Sequence, residues 1–272
     1  MKRLLLPFVA LVSACSPQAG GDPVTRIDLE NPDAEVAAAP SPSPTPDIDS
    51  ACETVTFDGS QFTHCTADPA DHAITTMLGS PPHRGFEAYA NAAPDDAKRV
   101  AFAMNGGMFD GEGKPIGYYV KDGERLKELN RNDGAGNFHM KPNGVFFGTG
   151  GKWRVMDADA FYSQIGDRPQ FGTQSGPMLL VGGKLHPEIT EDGPSRTIRN
   201  GVGVDGNGRA HFVISEGPVS FGKLARYFRD VLKTPEALYL DGSVSALWDP
   251  ARDRMDARAP IGPMLVVQEK TP

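Results

Sequence analysis

Side chains able to do acid–base or phosphate chemistry recur where apolar runs of this sequence give way to glycine or small polar residues. Five such groups follow one another: Asn105-Gly106-Gly107 with Asp110, Lys141-Pro142-Asn143-Gly144, Gln174-Ser175-Gly176-Pro177, Ser195-Arg196-Thr197 with Arg199, and Asp241-Gly242-Ser243-Val244-Ser245. Any one of them is typical of an ordinary turn, because Asn-Gly and Asp-Gly favour turns. Five such groups in one chain indicate a ligand-binding or catalytic site, because ligand-binding residues collect at loop ends.

Several common catalytic motifs are missing from the sequence. It has no G-x-S-x-G nucleophile elbow and no H-E-x-x-H zinc motif, and the loop GTGGK lacks both the spacing of a P-loop and the hydroxyl residue after its lysine. The six histidines show no metal-ligand spacing. No cofactor is therefore predicted, although a divalent metal bound by other ligands stays open.

The elements that must position these groups are predicted to be mainly β-hairpins. Glycine recurs between short apolar runs in GYYVKDGERLKEL, NGVFFGTGGKWRVM, GPMLLVGGKLHP and GVGVDGNGRAHFVIS, each typical of strand, turn and strand. Helices are predicted at 157–165 and 220–232, where Asp157 and Ser220 can cap apolar residues at helical spacing. The predicted fold class is α+β: a single domain of predominantly antiparallel or mixed β-sheet built from hairpins, with a few packing helices.

The first fifty residues are not typical of a folded domain. Residues 1–15 join two basic residues to a short apolar run ending in VSAC, which predicts a secretory signal. Cys15 stands where a bacterial lipobox has its lipidated cysteine, so we expect an exported lipoprotein, anchored to a membrane through Cys15 and facing the periplasm or the cell exterior. An ordinary signal peptide with an incidental cysteine is the alternative. Residues 16–50, with seven prolines and a charge of −6, predict an extended tether.

The remaining residues, 51–272, have the length of one domain. The leader carries a charge of +2 and the tether −6, so about −4 of the total charge of −8 belongs to this domain. A mildly acidic domain without a basic run is poorly suited to nucleic acid. Nucleic acid is therefore not an expected partner.

Cys52 and Cys65 are predicted to form a disulfide. They flank the stretch ETVTFDGSQFTH, in which Asp58-Gly59 is a hairpin signal between two short strands. A hairpin brings its ends together, and closing so short a loop contributes about 3 kcal/mol in the entropic model. Two reduced thiols are the alternative, which export disfavours.

The ordered motifs MNGGMF, KPNGVFF, QSGPMLL, SRTIRNGVGV and LYLDGSVSALW resemble the phosphodiester glycosidase domain family, and the likeness runs from about Cys52 to Val267. The resemblance implies hydrolysis of the bond between an anomeric carbon and a phosphodiester oxygen. One motif departs from the family: enzymes of the family often have Asp-Gly-Gly-Gly-Ser where this chain has Asp-Gly-Ser-Val-Ser from Asp241 to Ser245.

The family reaction implies roles for the charged residues. A carboxylate must face the sugar as base or nucleophile, and the candidates, in order, are Asp241, Glu216 and Asp110. A cation must stabilise the departing phosphate, which suits the planar fork of arginine. Arg196 is the first candidate, followed by Arg199 and Lys141, and we expect Asp241, Arg196 and Asn105 to line one pocket.

The other polar groups are expected to bind the substrate, a sugar-1-phosphodiester or phosphoglycan. They are Asn105, Gly106, Gly107, Asn143, Ser175, Gly176, Gly242 and Ser243. In this interpretation the glycines let sugar hydroxyls reach the backbone with no Cβ in the way. Two further hypotheses stay open: a non-catalytic lipoprotein that binds a glycan or phosphoglycan on the same fold, and a surface interaction protein without a small ligand.

Overall fold

The computed structural model describes residues 50–271. The leader, Cys15 and the tether up to residue 49 lie outside the described residues, so export, lipid attachment and the domain boundaries stay predictions. Within the described part, no helix is both long enough and apolar enough to cross a bilayer.

Short strands make up most of the ordered chain. Along residues 50–271 they are β1 (Cys52–Phe57), β2 (Ser60–Ala67), β3 (His72–Met77), β4 (Val100–Asn105), β5 (Tyr119–Lys121), β6 (Glu124–Lys127), β7 (Gly144–Thr149), β8 (Lys152–Asp157), β9 (Phe171–Ser175), β10 (Met178–Val181), β11 (Lys184–Leu185), β12 (Asn200–Val204), β13 (Ala210–Ser215), β14 (Glu236–Tyr239), β15 (Leu247–Asp249), β16 (Arg254–Met255) and β17 (Met264–Glu269). The α-helices are α1 (Phe86–Ala92), α2 (Pro94–Ala97), α3 (Ala158–Gln164) and α4 (Phe221–Arg226). A π-helical turn, Tyr227–Val231, continues α4, and 3₁₀ turns occupy Asn137–His139, Gly242–Val244 and Pro250–Arg252.

The strands form three sheets whose neighbouring strands are antiparallel. The first sheet has the order β1-β2-β13-β12-β14-β10-β11, the second β16-β15-β4-β17-β3 and the third β6-β5-β9-β7-β8. Every pairing within them is antiparallel. The predicted α+β class is confirmed, and the sheets are antiparallel rather than mixed.

The predicted hairpins are confirmed. The four glycine-containing stretches form β5–β6, β7–β8, β10–β11 and β12–β13, each a pair of sequence neighbours joined by a short turn. The β1–β2 turn has positive φ at both Asp58 and Gly59, which a two-residue turn between right-twisted strands requires. Cys52 and Cys65 then lie directly opposite each other in the register and form the predicted disulfide.

The central core lies where the three sheets meet. Phe212 of the first sheet packs edge-on against Phe102 of the second and Phe146 of the third, with ring centroids 5.2 and 5.7 Å apart. All three side chains are fully buried. Because burying one aromatic ring contributes a few kcal/mol, this cluster holds the sheets at fixed positions and so fixes the loops at their ends.

The helices cover the outer faces of the sheets. Both predicted helices are present as α3 and α4, and their caps are Asp157 and Ser220 as expected. The last turn of the second helix is π-helical, which the apolar spacing did not indicate. Helix α1 was not predicted, because Gly85 at its start offers no capping side chain and so leaves no start signal.

Candidate active site

An open pocket of about 450 Å³ lies where the ends of several strands converge. One wall comes from the segment after β4, with Met108 and Phe109, and another from the 3₁₀ turn that contains Phe138. Its charged lining comes from Arg199, just before β12, and Asp241, just after β14. Apolar walls with a few convergent polar groups are typical of a ligand site.

The position of Asp241 is fixed by its backbone. Its N–H donates to the carbonyl of Gly106 at 3.2 Å, and its carbonyl accepts from the Asn105 amide at 2.8 Å. The Asn105 oxygen in turn accepts from Asn200 at 2.8 Å and from the Ala246 N–H at 2.9 Å. Asn105 is buried beneath the pocket rather than in its lining, so it holds the end of β14 against the end of β4.

The Asp241 carboxylate is half-buried and carries one local partner. Its Oδ1 accepts from the Ser243 hydroxyl at 2.6 Å and from the Ser243 N–H at 3.3 Å. Burial raises the pKa of Asp241 above its ordinary value, and the two Ser243 hydrogen bonds partly oppose that rise. Within residues 50–271 no basic side chain forms an ion pair with it. The second carboxylate oxygen therefore has no hydrogen-bond donor among the described residues.

Arg199 is a buried cation held by neutral groups. It is 1% exposed, and its Nε donates to the Val219 carbonyl at 2.9 Å while Nη2 donates to Ser195 at 3.0 and 3.1 Å. Its Nη1 donates to the Tyr239 hydroxyl at 3.2 Å, and its guanidinium stacks 3.5 Å from the Phe221 ring. Burial lowers the pKa of Arg199, but arginine stays protonated in proteins.

The charge of Arg199 is uncompensated in the described structure. No carboxylate within residues 50–271 pairs with it, and one Nη1 N–H has no acceptor there. A buried charge without a partner is costly. Such a charge, lining a pocket, is typical of an anion-binding site.

Tyr239 connects the two charged residues. It lies two residues before Asp241 at the end of β14, lines the pocket, and accepts the hydrogen bond from Arg199. Its hydroxyl also lies against Gly242, where a Cβ would overlap it. Burial raises the pKa of Tyr239, so it stays a neutral phenol at physiological pH. Gly242 is thus a glycine because a phenol occupies the place of its side chain.

The glycines after β4 also have packing roles, which corrects the interpretation that a ligand approaches them. A Cβ on Gly107 would overlap the carbonyl oxygen of Gln174, at the end of β9. Gly106 is buried and donates to the Pro263 carbonyl at 2.7 Å. Both glycines let β4 pass close to other backbone segments, and neither lines the pocket.

We expect Gly107→Ala to destabilise the fold. The added methyl would collide with the backbone of β9, which cannot move away as a side chain can, and overpacking of this kind costs about 1–3 kcal/mol. Gly111→Ala, in the same loop, has open space around the new Cβ and is the matched control. Urea unfolding measures both; equal midpoints for the two variants would contradict this packing role.

The remaining predicted catalytic carboxylates are engaged outside the pocket. Oε1 of Glu216 accepts from Thr63 at 2.6 Å and from Arg254 at 2.7 Å, which ties the end of β13 to β2 and β16. Asp110 is exposed and accepts from two N–H groups of its own turn, at 3.0 and 2.9 Å. Neither is in the pocket lining, so the structure brings neither of them together with Asp241.

Two of the predicted cations are likewise engaged outside the pocket. The Arg196 guanidinium pairs with Asp192 at 2.8 Å, and Lys141 pairs with Asp133 at 2.6 Å. The cation in the pocket is Arg199, so the expectation that Arg196 lines it is corrected. The physical reason is that Asp192, four residues earlier, already neutralises Arg196.

Three further predicted residues are buried and lie outside the pocket lining. Asn143 is buried and donates to the Phe138 carbonyl at 2.8 Å. Gly176 packs so closely on this segment that a Cβ would lie 2.7 Å from Asn143 Cβ and 2.8 Å from the Phe138 carbonyl oxygen. Ser175 is also buried at this point, at the end of β9. Asn143 and Gly176 thereby position the 3₁₀ turn that lines the pocket.

The pocket lining also contains residues that are not among the predicted site residues, including the aromatic side chains of Tyr239, Phe109 and Phe138 and the imidazole of His139. Only Tyr239 had a signal in the sequence. Side chains two residues apart on a strand face the same side, so a site that contains Asp241 is expected to contain Tyr239 as well. The other aromatic residues gave no signal, because each is equally typical of a core. Among the described residues, no cluster of histidine, cysteine or carboxylate side chains is placed to hold a metal ion.

Comparisons with known proteins agree on the family and the fold. The model of the phosphodiester glycosidase family matches residues 98–268. The uncharacterized protein YigE of Escherichia coli strain K12 is 37% identical over 172 residues, which cover 63% of this chain and 67% of that protein. The matched range contains Arg199 and Asp241, whereas the disulfide hairpin lies before it.

Two solved structures share the fold. The catalytic domain of zebrafish N-acetylglucosamine-1-phosphodiester alpha-N-acetylglucosaminidase, auto-inhibited by its pro-peptide, has a TM-score of 0.54 at 16% identity, covering 80% of this chain and 82% of that one. A protein of Burkholderia pseudomallei K96243 whose name describes it as exported has a TM-score of 0.50 at 12% identity, covering 77% and 74%. With its family motifs, its matched range and this shared fold, the chain belongs to the phosphodiester glycosidase family.

Proposed function

We propose that the protein is an extracytoplasmic hydrolase that cleaves the bond between the anomeric carbon of a sugar and its phosphodiester oxygen. The observation that supports this best is the pair of uncompensated opposite charges, Asp241 and Arg199, in one pocket. A glycosyl phosphodiester has the matching parts: an anionic phosphate for the guanidinium and an electrophilic carbon for the carboxylate.

Arg199 binds the phosphate in this proposal. Its free Nη1 N–H donates to a phosphate oxygen, and its charge stabilises the negative charge that grows on the leaving oxygen. The guanidinium is already oriented by Val219, Ser195 and Tyr239, so little reorganisation accompanies the reaction. A phosphate monoester leaves readily as an anion, which explains how the pocket can work without a second carboxylate as proton donor.

Asp241 acts as the base. Its free carboxylate oxygen takes a proton from water, the water oxygen attacks the anomeric carbon, and the C–O bond breaks with its electron pair going to the phosphate oxygen. The products are the free sugar and a phosphate monoester. The raised pKa of Asp241 makes it a stronger base than an exposed aspartate.

The altered Asp-Gly-Ser-Val-Ser motif is compatible with catalysis. Ser243 engages only Oδ1 of Asp241, so the second oxygen is left for water. The alternative is a non-catalytic protein that binds a glycan or phosphoglycan in the same pocket. Incubation of the purified protein with a panel of sugar-1-phosphodiesters separates the two: released sugar supports the enzyme, and binding without release supports the alternative.

The pH profile should show the ionisation of Asp241. A base works only when deprotonated, so activity is lost as pH falls through the pKa of Asp241, which burial has raised. Ser243→Ala removes a hydrogen bond that lowers this pKa, so we expect the acidic limb of kcat/KM to move to higher pH. An acidic limb that stays in place in the variant would refute the role of Asp241 as the titrating base.

The leader and tether support a location outside the cytoplasm, with the domain anchored to a membrane through a lipid on Cys15. An exported hydrolase would meet glycosyl phosphodiesters of the cell envelope or its surroundings. We expect Cys15→Ala to release the protein from the membrane fraction; a variant that still partitions like the parent would place the anchor elsewhere.

A further inference from the structure

A second cavity, of about 370 Å³, adjoins the candidate active site; we call it the side cavity. The two spaces share the lining residues Asn137 and Ser195, so they are direct neighbours. No step of the proposed hydrolysis uses the side cavity.

Arg199 stands at the boundary between the two spaces. Its guanidinium lines the active-site pocket, its Nη2 donates to Ser195, which lines both, and its flat face lies 3.5 Å from the Phe221 ring, which lines the side cavity. A phosphate bound to Arg199 would lie in the pocket that Asp241 lines and next to the side cavity. A phosphodiester has two ester groups, and this geometry provides a place for each.

The chemistry of the side cavity is apolar. Met140, Ile189, Pro194 and Phe221 contribute to its walls, and Glu188 is the charged residue among its lining. With a carboxylate and no cation there, a second phosphate would be repelled rather than bound. A neutral, apolar group fits instead, because its burial removes apolar surface from water.

The walls of the side cavity are held in place. Gly222 of α4 packs against the loop that contains Thr190 and Asp192. The approach is so close that a Cβ on Gly222 would overlap the Thr190 carbonyl oxygen. Asp192 in the same loop accepts from Ser220 at 2.8 Å and from Arg196 at 2.8 Å. Arg196 thus fixes the loop that forms the cavity. A cavity with fixed walls can select a substrate by shape.

We propose that the side cavity is the leaving-group subsite and that it takes an apolar alcohol esterified to the phosphate. This rests on the proposed function and narrows it: the preferred substrate is a sugar-1-phosphodiester of an aliphatic alcohol, rather than of a second sugar or of a further phosphate.

Binding of simple phosphate esters tests the subsite without hydrolysis. We expect octyl phosphate to bind at least about ten-fold more tightly than methyl phosphate in calorimetric titrations, since its chain is buried in the side cavity. Met140→Gln should remove most of that preference while methyl phosphate binding is kept. Met255→Gln, the same change at an exposed methionine outside both spaces, is the matched control and should keep the preference.

The outcomes separate this inference from the proposed function. Equal affinities for octyl and methyl phosphate, no measurable binding of octyl phosphate, or an unchanged preference in Met140→Gln would overturn the subsite. An octyl preference in a protein that hydrolyses no sugar-1-phosphodiester would overturn the hydrolase and leave the side cavity as a binding site for an apolar alkyl group beside the phosphate. Faster hydrolysis of octyl than of methyl sugar-1-phosphodiesters would support both.

Discussion

Asp241→Asn is expected to reduce turnover of a sugar-1-phosphodiester by about 1,000-fold, within the range that general base catalysis contributes. Asparagine has nearly the same shape and can still accept the Ser243 hydrogen bond, so the 3₁₀ turn after β14 should be kept. It cannot take a proton from water. Because the carboxylate acts in the transition state, KM should change little while kcat falls.

Asp110→Asn is the matched control for this experiment. It makes the same chemical change at an exposed carboxylate that only organises its own turn, so turnover should stay near that of the parent. Steady-state kinetics measures both variants. Full activity in Asp241→Asn, or equal losses in the two variants, would remove Asp241 from the mechanism.

Arg199→Lys is expected to weaken phosphate binding and turnover together, by roughly 10- to 100-fold each, because a hydrogen bond to a charged group contributes about 1.5–3 kcal/mol. Lysine keeps the charge but loses the planar fork that Val219, Ser195 and Tyr239 hold, and it loses the stacking on Phe221. Phosphate is present in the ground state and the transition state, so KM should rise and kcat should fall.

Arg196→Lys is the matched control, three residues away. Its guanidinium pairs with Asp192 at a partly exposed site outside the pocket lining, so we expect affinity for methyl phosphate to stay within about two-fold of the parent. Urea unfolding of both variants separates lost binding from lost folding, because Arg199 is buried. If Arg196→Lys loses methyl phosphate affinity and Arg199→Lys does not, the assignment of the phosphate-binding residue is reversed.

The hairpins were predictable because their signal is local. A pair such as Asp58-Gly59 adopts positive φ at little cost, and the flanking apolar residues then pair in register. The order of strands in the three sheets had no such signal. It depends on contacts such as that of Phe212 with Phe102, residues that are far apart in the chain. Fold class therefore followed from the sequence, and sheet topology did not.

The choice between Arg196 and Arg199 shows why the site was only partly predictable. Both arginines lie in one short segment, and their types and neighbours do not separate them. Alternation along an extended segment does: Ser195, Thr197 and Arg199 share one side and all line the pocket, whereas Arg196 faces away. The deciding partner of Arg196, Asp192, is visible in the sequence, but the turn that brings them together is not.

The glycines after β4 and Gly242 show where the sequence pattern was misleading. Glycine indicates that something lies close to the backbone, and from the sequence a ligand was expected in that place. The structure fills it with the Gln174 carbonyl at Gly107 and with the Tyr239 hydroxyl at Gly242. A glycine pattern alone does not distinguish a close protein contact from a binding site.

In the proposed reaction, the bond between the sugar carbon and the phosphodiester oxygen is cleaved. Hydrolysis in water enriched in oxygen-18, followed by mass spectrometry of the phosphate monoester, tests it most directly, because that product does not exchange its oxygen with water under these conditions. If water attacks the anomeric carbon as proposed for Asp241, the phosphate monoester carries no label. A phosphate monoester that carries one oxygen-18 atom would show attack at phosphorus and would contradict the account.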